Sequence, residues 1–152
     1  MGSAAPVTFL ATDGAVLYRA DSSGATFGTV TMNAAVQSLT RLPSGLSLPG
    51  ATAGDIIACA RSATSGRYKL YRMVDPLGAT SLVEIGSLNQ GIGSLVFANG
   101  EIWGVEDSVS PIRMYKFDPT TGNSIGSFST GVSVTGSGGL AWTLPAGTTF
   151  PA

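Results

Sequence analysis

Apolar and polar residues alternate in short runs along this chain, and Gly, Pro, Ser and Asp break every window long enough to hold a helical period. The runs recur in a constant order. One contains a tyrosine followed by a basic residue: Leu17-Tyr18-Arg19-Ala20-Asp21, Leu70-Tyr71-Arg72-Met73-Val74-Asp75 and Met114-Tyr115-Lys116-Phe117-Asp118. Another follows it: Phe27-Gly28-Thr29-Val30, Ile85-Gly86-Ser87-Leu88 and Ile125-Gly126-Ser127-Phe128. Next come Ser38-Leu39-Thr40-Arg41, Ser94-Leu95-Val96-Phe97 and Gly139-Leu140-Ala141-Trp142. The last kind precedes each tyrosine: Val7-Thr8-Phe9-Leu10-Ala11, Asp55-Ile56-Ile57-Ala58-Cys59 and Glu101-Ile102-Trp103-Gly104-Val105. Short alternating runs bounded by turn residues predict strands.

The turns have their own chemistry. Asp118-Pro119-Thr120-Thr121-Gly122 opens on an aspartate that can bond its own backbone. Pro119 presets φ, and Gly122 can take positive φ. Asp21 to Gly24 and Asp75 to Gly78 are expected to turn in the same way. Each unit is therefore expected to be a four-stranded antiparallel meander of about 45–55 residues. The first unit fits least well. Arg41 stands where the others carry Phe97 and Trp142, and residues 44–54 read as an inserted loop.

This pattern resembles the repeats of six- and seven-bladed β-propellers, in which an apolar-Leu-Tyr-basic-x-Asp-x-x-Thr-Gly hairpin is followed by Ile-Gly-Ser. It is most similar to repeats of secreted and surface-associated bacterial propellers. The resemblance implies an all-β chain of three blades over residues 7–145, with boundaries near 36, 92 and 137 and tails at 1–6 and 146–152. It says little about function, because propellers host many activities.

Numbered by place in a blade, the runs read 2-3-4, 1-2-3-4, 1-2-3-4, 1. The chain begins on a blade that lacks its first strand and ends on a first strand that lacks its blade. Three blades are too few for a ring, which takes about four to eight. Two copies solve the problem: the strand carrying Leu140, Trp142 and Leu144 of each completes the first blade of the other, and a six-bladed ring closes. The alternative is that the chain is part of a longer propeller.

Composition narrows the chemistry. Charged residues are 11% of the chain, hydrophobic residues 43%, and the net charge is −1. Nucleic acid and anionic membranes are therefore poor partner expectations. No apolar run approaches the ~20 residues of a membrane helix. Met1 to Pro6 lacks the charged and apolar regions of a signal peptide, so none is expected. Location stays open, with a virion or cell surface favoured over the cytoplasm on composition. There is no histidine and a single cysteine, Cys59, in an apolar run. That removes an imidazole base, histidine metal ligands and an intrachain disulfide, and Cys59 reads as a small core residue. No phosphate-cradling or calcium-loop motif is present, so neither cofactor nor metal is expected.

The remaining candidates are few. Glu106-Asp107 is the one adjacent acidic pair, read as a solvated loop or, more sharply, a cation or carboxylate-pair site. Tyr18, Tyr71 and Tyr115 read as packing between blades, or as a ring of sugar-stacking sites. Trp103 and Trp142 would serve sugar binding best, yet they align with Ile57 and Phe97, which favours the core. Arg19, Arg72 and Lys116 should face the other side of their strands and form a solvated face or a charge ring. The function expected first is a non-catalytic structural or adhesion module that dimerises, with a phage decoration or tail component as one example. A glycan-binding lectin is the alternative. A propeller hydrolase or lyase is disfavoured by the missing histidine.

Overall fold

The computed structural model describes residues 8–62, 64, 65, 67–106 and 110–133. Within them the chain is all β. Eleven strands follow one another: β1 (Thr8–Asp13), β2 (Val16–Asp21), β3 (Thr26–Thr31), β4 (Ala35–Arg41), β5 (Ile56–Arg61), β6 (Tyr68–Val74), β7 (Ser81–Ser87), β8 (Ile92–Ala98), β9 (Glu101–Glu106), β10 (Arg113–Phe117) and β11 (Ser124–Ser129). They form three antiparallel meanders: β1-β2-β3, β4-β5-β6-β7 and β8-β9-β10-β11, called sheets one, two and three below. Each observed strand overlaps one of the sequence runs. The twelfth run, with Leu140, Trp142 and Leu144, lies outside the described residues. Among those residues the three sheets form no closed ring.

The hairpins follow from the turn residues. Asp21 Oδ1 accepts from Ser23 N at 2.8 Å and Ala25 N at 3.2 Å, and Asp118 Oδ1 accepts from Thr120 N at 2.7 Å. Gly24 and Gly122 have φ of 85° and 71°, as expected of residues closing such turns. The middle hairpin differs. There the positive φ, 49°, falls on Asp75, and Gly78 is needed for another reason: the Asp75 carboxylate lies where a Cβ would stand, at 2.1 Å.

The sheets stack face to face. Strand alternation gives sheet two two apolar faces. Ala58, Ala60, Tyr71, Met73 and Leu82 pack on Leu17, Met32 and Ala34 at the sheet-one side. Ile57, Cys59 and Leu70 pack on Leu95, Phe97, Ile102, Tyr115 and Phe117 of sheet three. The Cys59 thiol is fully buried, as expected, and donates to Ile92 O at 3.4 Å. Residues 44–54 do more than bridge a gap. A Leu48–Ala51 bridge folds them back, and Leu48 and Ala51 join the core between sheets two and three.

Polar links span the same junctions. Asn33 donates to Leu82 O at 3.1 Å and accepts from Leu82 N at 3.0 Å, which satisfies backbone groups of β7. Asn89, two residues past β7 as Asn33 is two past β3, accepts from Ser124 N of β11 at 3.1 Å. The corresponding place after β11 is Gly131.

Candidate functional site

The tyrosine runs position three equivalent side chains, and the structure treats them differently. Tyr71 pairs with Ala58 and Tyr115 with Gly104, and they are 7% and 6% exposed. Each points at the preceding sheet. Tyr18, paired with Ala11, takes the same side of sheet one and is 40% exposed. Burial between sheets is thus correct for two of the three. The exception has a plain cause: among the described residues no sheet precedes sheet one. Phe9, on the same side of sheet one, lies exposed as well. Burial raises the Tyr71 hydroxyl pKa above the usual phenol range, and the Glu84 carboxylate adds to the shift.

The opposite side tells the same story. On sheet two Ile57 pairs with Arg72, and that face is covered by sheet three. The matching pair on sheet three is Trp103 and Lys116. Trp103 is only half-buried, with Phe128 edge-on at 6.0 Å between ring centroids and Lys116 Nζ 5.9 Å from its own ring centre. The expectation of a core tryptophan is therefore corrected. The alignment with Ile57 holds, but Ile57 owes its burial to a following sheet that Trp103 lacks among the described residues. The Trp103 indole donates to Glu101 Oε2 at 3.0 Å, and Lys116 forms an ion pair with Glu101. The Lys116 hydrogen bond holds the Glu101 carboxyl below its ordinary range.

The basic residues depart further from the expected solvated face. Arg19 is buried, 8% exposed. Its Nε donates to Pro76 O at 2.9 Å, and a terminal nitrogen donates to Gly78 O at 2.5 Å and Thr80 Oγ1 at 2.7 Å. It reaches from sheet one into the β6–β7 hairpin of sheet two and ties the two together. Sequence reasoning missed this link, because alternation gives the side of a strand and not what covers that side. Arg72 is half-buried, and its Nε has no hydrogen-bond partner among the described residues.

The acidic candidate separates into parts. Glu106 ends β9, where its Oε2 accepts from the Tyr115 hydroxyl at 3.0 Å and lies 4.0 Å from Arg113 Nη1. Asp107 lies outside the described residues, as does Trp142. Among the described residues, no group of three or more His, Cys, Asp or Glu side chains could hold a metal. Asp21 and Asp118 are held below the usual carboxylate range, Asp21 first by the Ser23 hydroxyl and Asp118 first by the Thr120 amide. Both shifts come from turn-forming bonds.

Compared with models of known families, with curated proteins and with solved structures, the chain matches none of them. What the site can do must come from its own geometry. No helix among the described residues is long and apolar enough to cross a membrane.

One further feature completes the site. Among the described residues β1 is the edge of its sheet, whereas the strands in the equivalent place, β5 and β9, pair on both sides. β1 touches β4 as β5 touches β8, so sheet one stacks on sheet two in the same way as two on three. A cavity of about 560 Å³ borders Thr8, Phe9 and Leu10 of β1 and Leu39, Thr40 and Arg41 of β4. Three consecutive residues of each strand line it, so both strands contribute an edge as well as a face.

Proposed function

We propose that this chain is a non-catalytic assembly module, half of a six-bladed β-propeller that closes as a homodimer by exchanging strands. The single observation that carries this is the edge of β1, unpaired among the described residues, with its adjoining cavity, at the place where β4 and β8 stand in the other two sheets. The run at 139–142 matches the sequences of β4 and β8, so the chain carries a twelfth run of the right pattern. An edge strand offers a row of unpaired N–H and C=O groups, and strand addition is the direct way to satisfy them. Most described carboxylates suit a structural role: Asp21, Asp55, Asp75 and Asp118 accept from turn amides, and Glu84, Glu101 and Glu106 pair with Lys69, Lys116 and Tyr115 in turn. Low charge and a surface rich in Ser, Thr and Gly fit a structural or adhesive element.

Hydrogen exchange tests this reading. Backbone amides of β1 that point away from β2 should exchange slowly in the full chain, at rates comparable to those of β5. Exchange of these amides as fast as in a free peptide, with β5 protected, would remove the strand from that edge.

A further inference from the structure

Two sheet faces remain uncovered among the described residues, and they differ in kind. Sheet one presents the tyrosine side, with Tyr18, Phe9 and Ala11. Sheet three presents the other side, with Trp103, Val105, Met114, Lys116 and Phe128. Within the chain these two kinds of face already meet twice: the tyrosine side of sheet two covers sheet one, and that of sheet three covers sheet two. We infer that the Trp103 face of one copy packs against the Tyr18 face of a second copy, as a third instance of the junction the chain builds twice internally. This rests on the assembly reading above and specifies its seam.

Three details support a second copy as the occupant. The pairing is between unlike faces, so it continues the established stacking direction. A two-fold exchange of such contacts closes, and leaves neither face open. The apolar content matches on both sides: Phe9 and Tyr18 on one, Trp103 and Phe128 on the other are exposed or half-buried aromatic groups. Exposed groups gathered on one face in this way mark contact surfaces. Charge placement agrees as well. Lys116 holds on sheet three the place Arg19 holds on sheet one. Arg19 reaches the Asp75–Gly78 hairpin of the next sheet. Arg72, at the same place on sheet two, leaves its Nε without such a bond, so the link belongs to the sheet-one junction alone, and by that junction's geometry Lys116 meets the Asp21–Gly24 hairpin of the second copy. The seam lacks one internal feature, since Gly131 stands where Asn33 and Asn89 cap the next sheet. It should therefore open before the internal junctions do.

Two variants test the pairing, Trp103→Glu and Tyr18→Lys, each compared with the full wild-type chain by sedimentation. Each alone damages both seams of a dimer and should weaken association at least tenfold. An equimolar mixture has one seam with the native pair and one with Glu opposite Lys. It should give a heterodimer with affinity restored most of the way to wild type. A wild-type dimer unaffected by Tyr18→Lys but lost in Trp103→Glu would show like faces pairing, and would overturn the inference. A wild-type dimer insensitive to both, with Trp103 fluorescence saturably quenched by neutral oligosaccharides, would make that face a sugar site and overturn it too. In both cases slow exchange at β1 would leave the strand-exchange reading standing. A monomeric wild-type chain would remove both. Should either variant fail to fold by circular dichroism, Phe128→Lys and Phe9→Glu, on the same two faces, replace them with the same expected pattern.

Discussion

Tyr71→Ala should cost on the order of 3–5 kcal/mol of unfolding free energy, the range for removing a large buried aromatic. Tyr71 packs in the junction between sheets one and two with Leu17, Met73 and Leu82, and little of it reaches solvent. Deleting the ring leaves a void lined by those side chains and loses contact with both sheets. The equivalent change at Tyr18 should behave differently. In a separated single chain Tyr18→Ala should change stability by less than about 0.5 kcal/mol, as exposed positions do. Its effect should appear in association instead. Urea titration of both variants, above and below the association range, separates the two. Equal losses at Tyr18 and Tyr71 in the single chain would mean that the two positions are not the open and closed versions of one junction.

Deleting residues 137–152 should abolish the dimer. The deletion takes Leu140, Trp142 and Leu144, alternating apolar residues of the run that matches β4 and β8. On the strand-exchange proposal it leaves the outer edge of β1 without a ladder partner. Both seams of the proposed two-fold ring use this run, so one deletion should damage both. The shortened chain should be monomeric or aggregated, with fast-exchanging amides at β1. A peptide of residues 137–152, added in excess, should slow that exchange again. A shortened chain that keeps the same soluble dimer and melting temperature would show that the segment plays no part in assembly.

Much of the architecture was legible in the sequence because it depends on local alternation and turn chemistry. The eleven described strands fall on the recurring runs, and Asp21 and Asp118 bond their turns as their sequences suggest. Register was less legible. In sheets one and three the repeated glycine, Gly28 or Gly126, stands opposite the basic residue, but Gly86 stands opposite Leu70. The bulge in the middle sheet lies between Leu70 and Tyr71, two residues earlier than its counterparts when the tyrosines are aligned. A bulge inserts one residue without changing the apolar pattern enough to be seen. Least legible was what covers each face. Ile57 and Trp103 occupy matching places, as do Tyr18 and Tyr71, and their different exposure depends on whether another sheet follows or precedes. Alternation within a strand carries no information about that. Arg19 shows the same limit, since its partners at Pro76, Gly78 and Thr80 lie on another sheet.

Sedimentation equilibrium on the full chain, from micromolar to tens of micromolar, tests the central claim most directly. The account predicts a single species of about 31 kDa, twice the 15.3 kDa mass of the chain. A well-folded 15.3 kDa monomer throughout that range would contradict it.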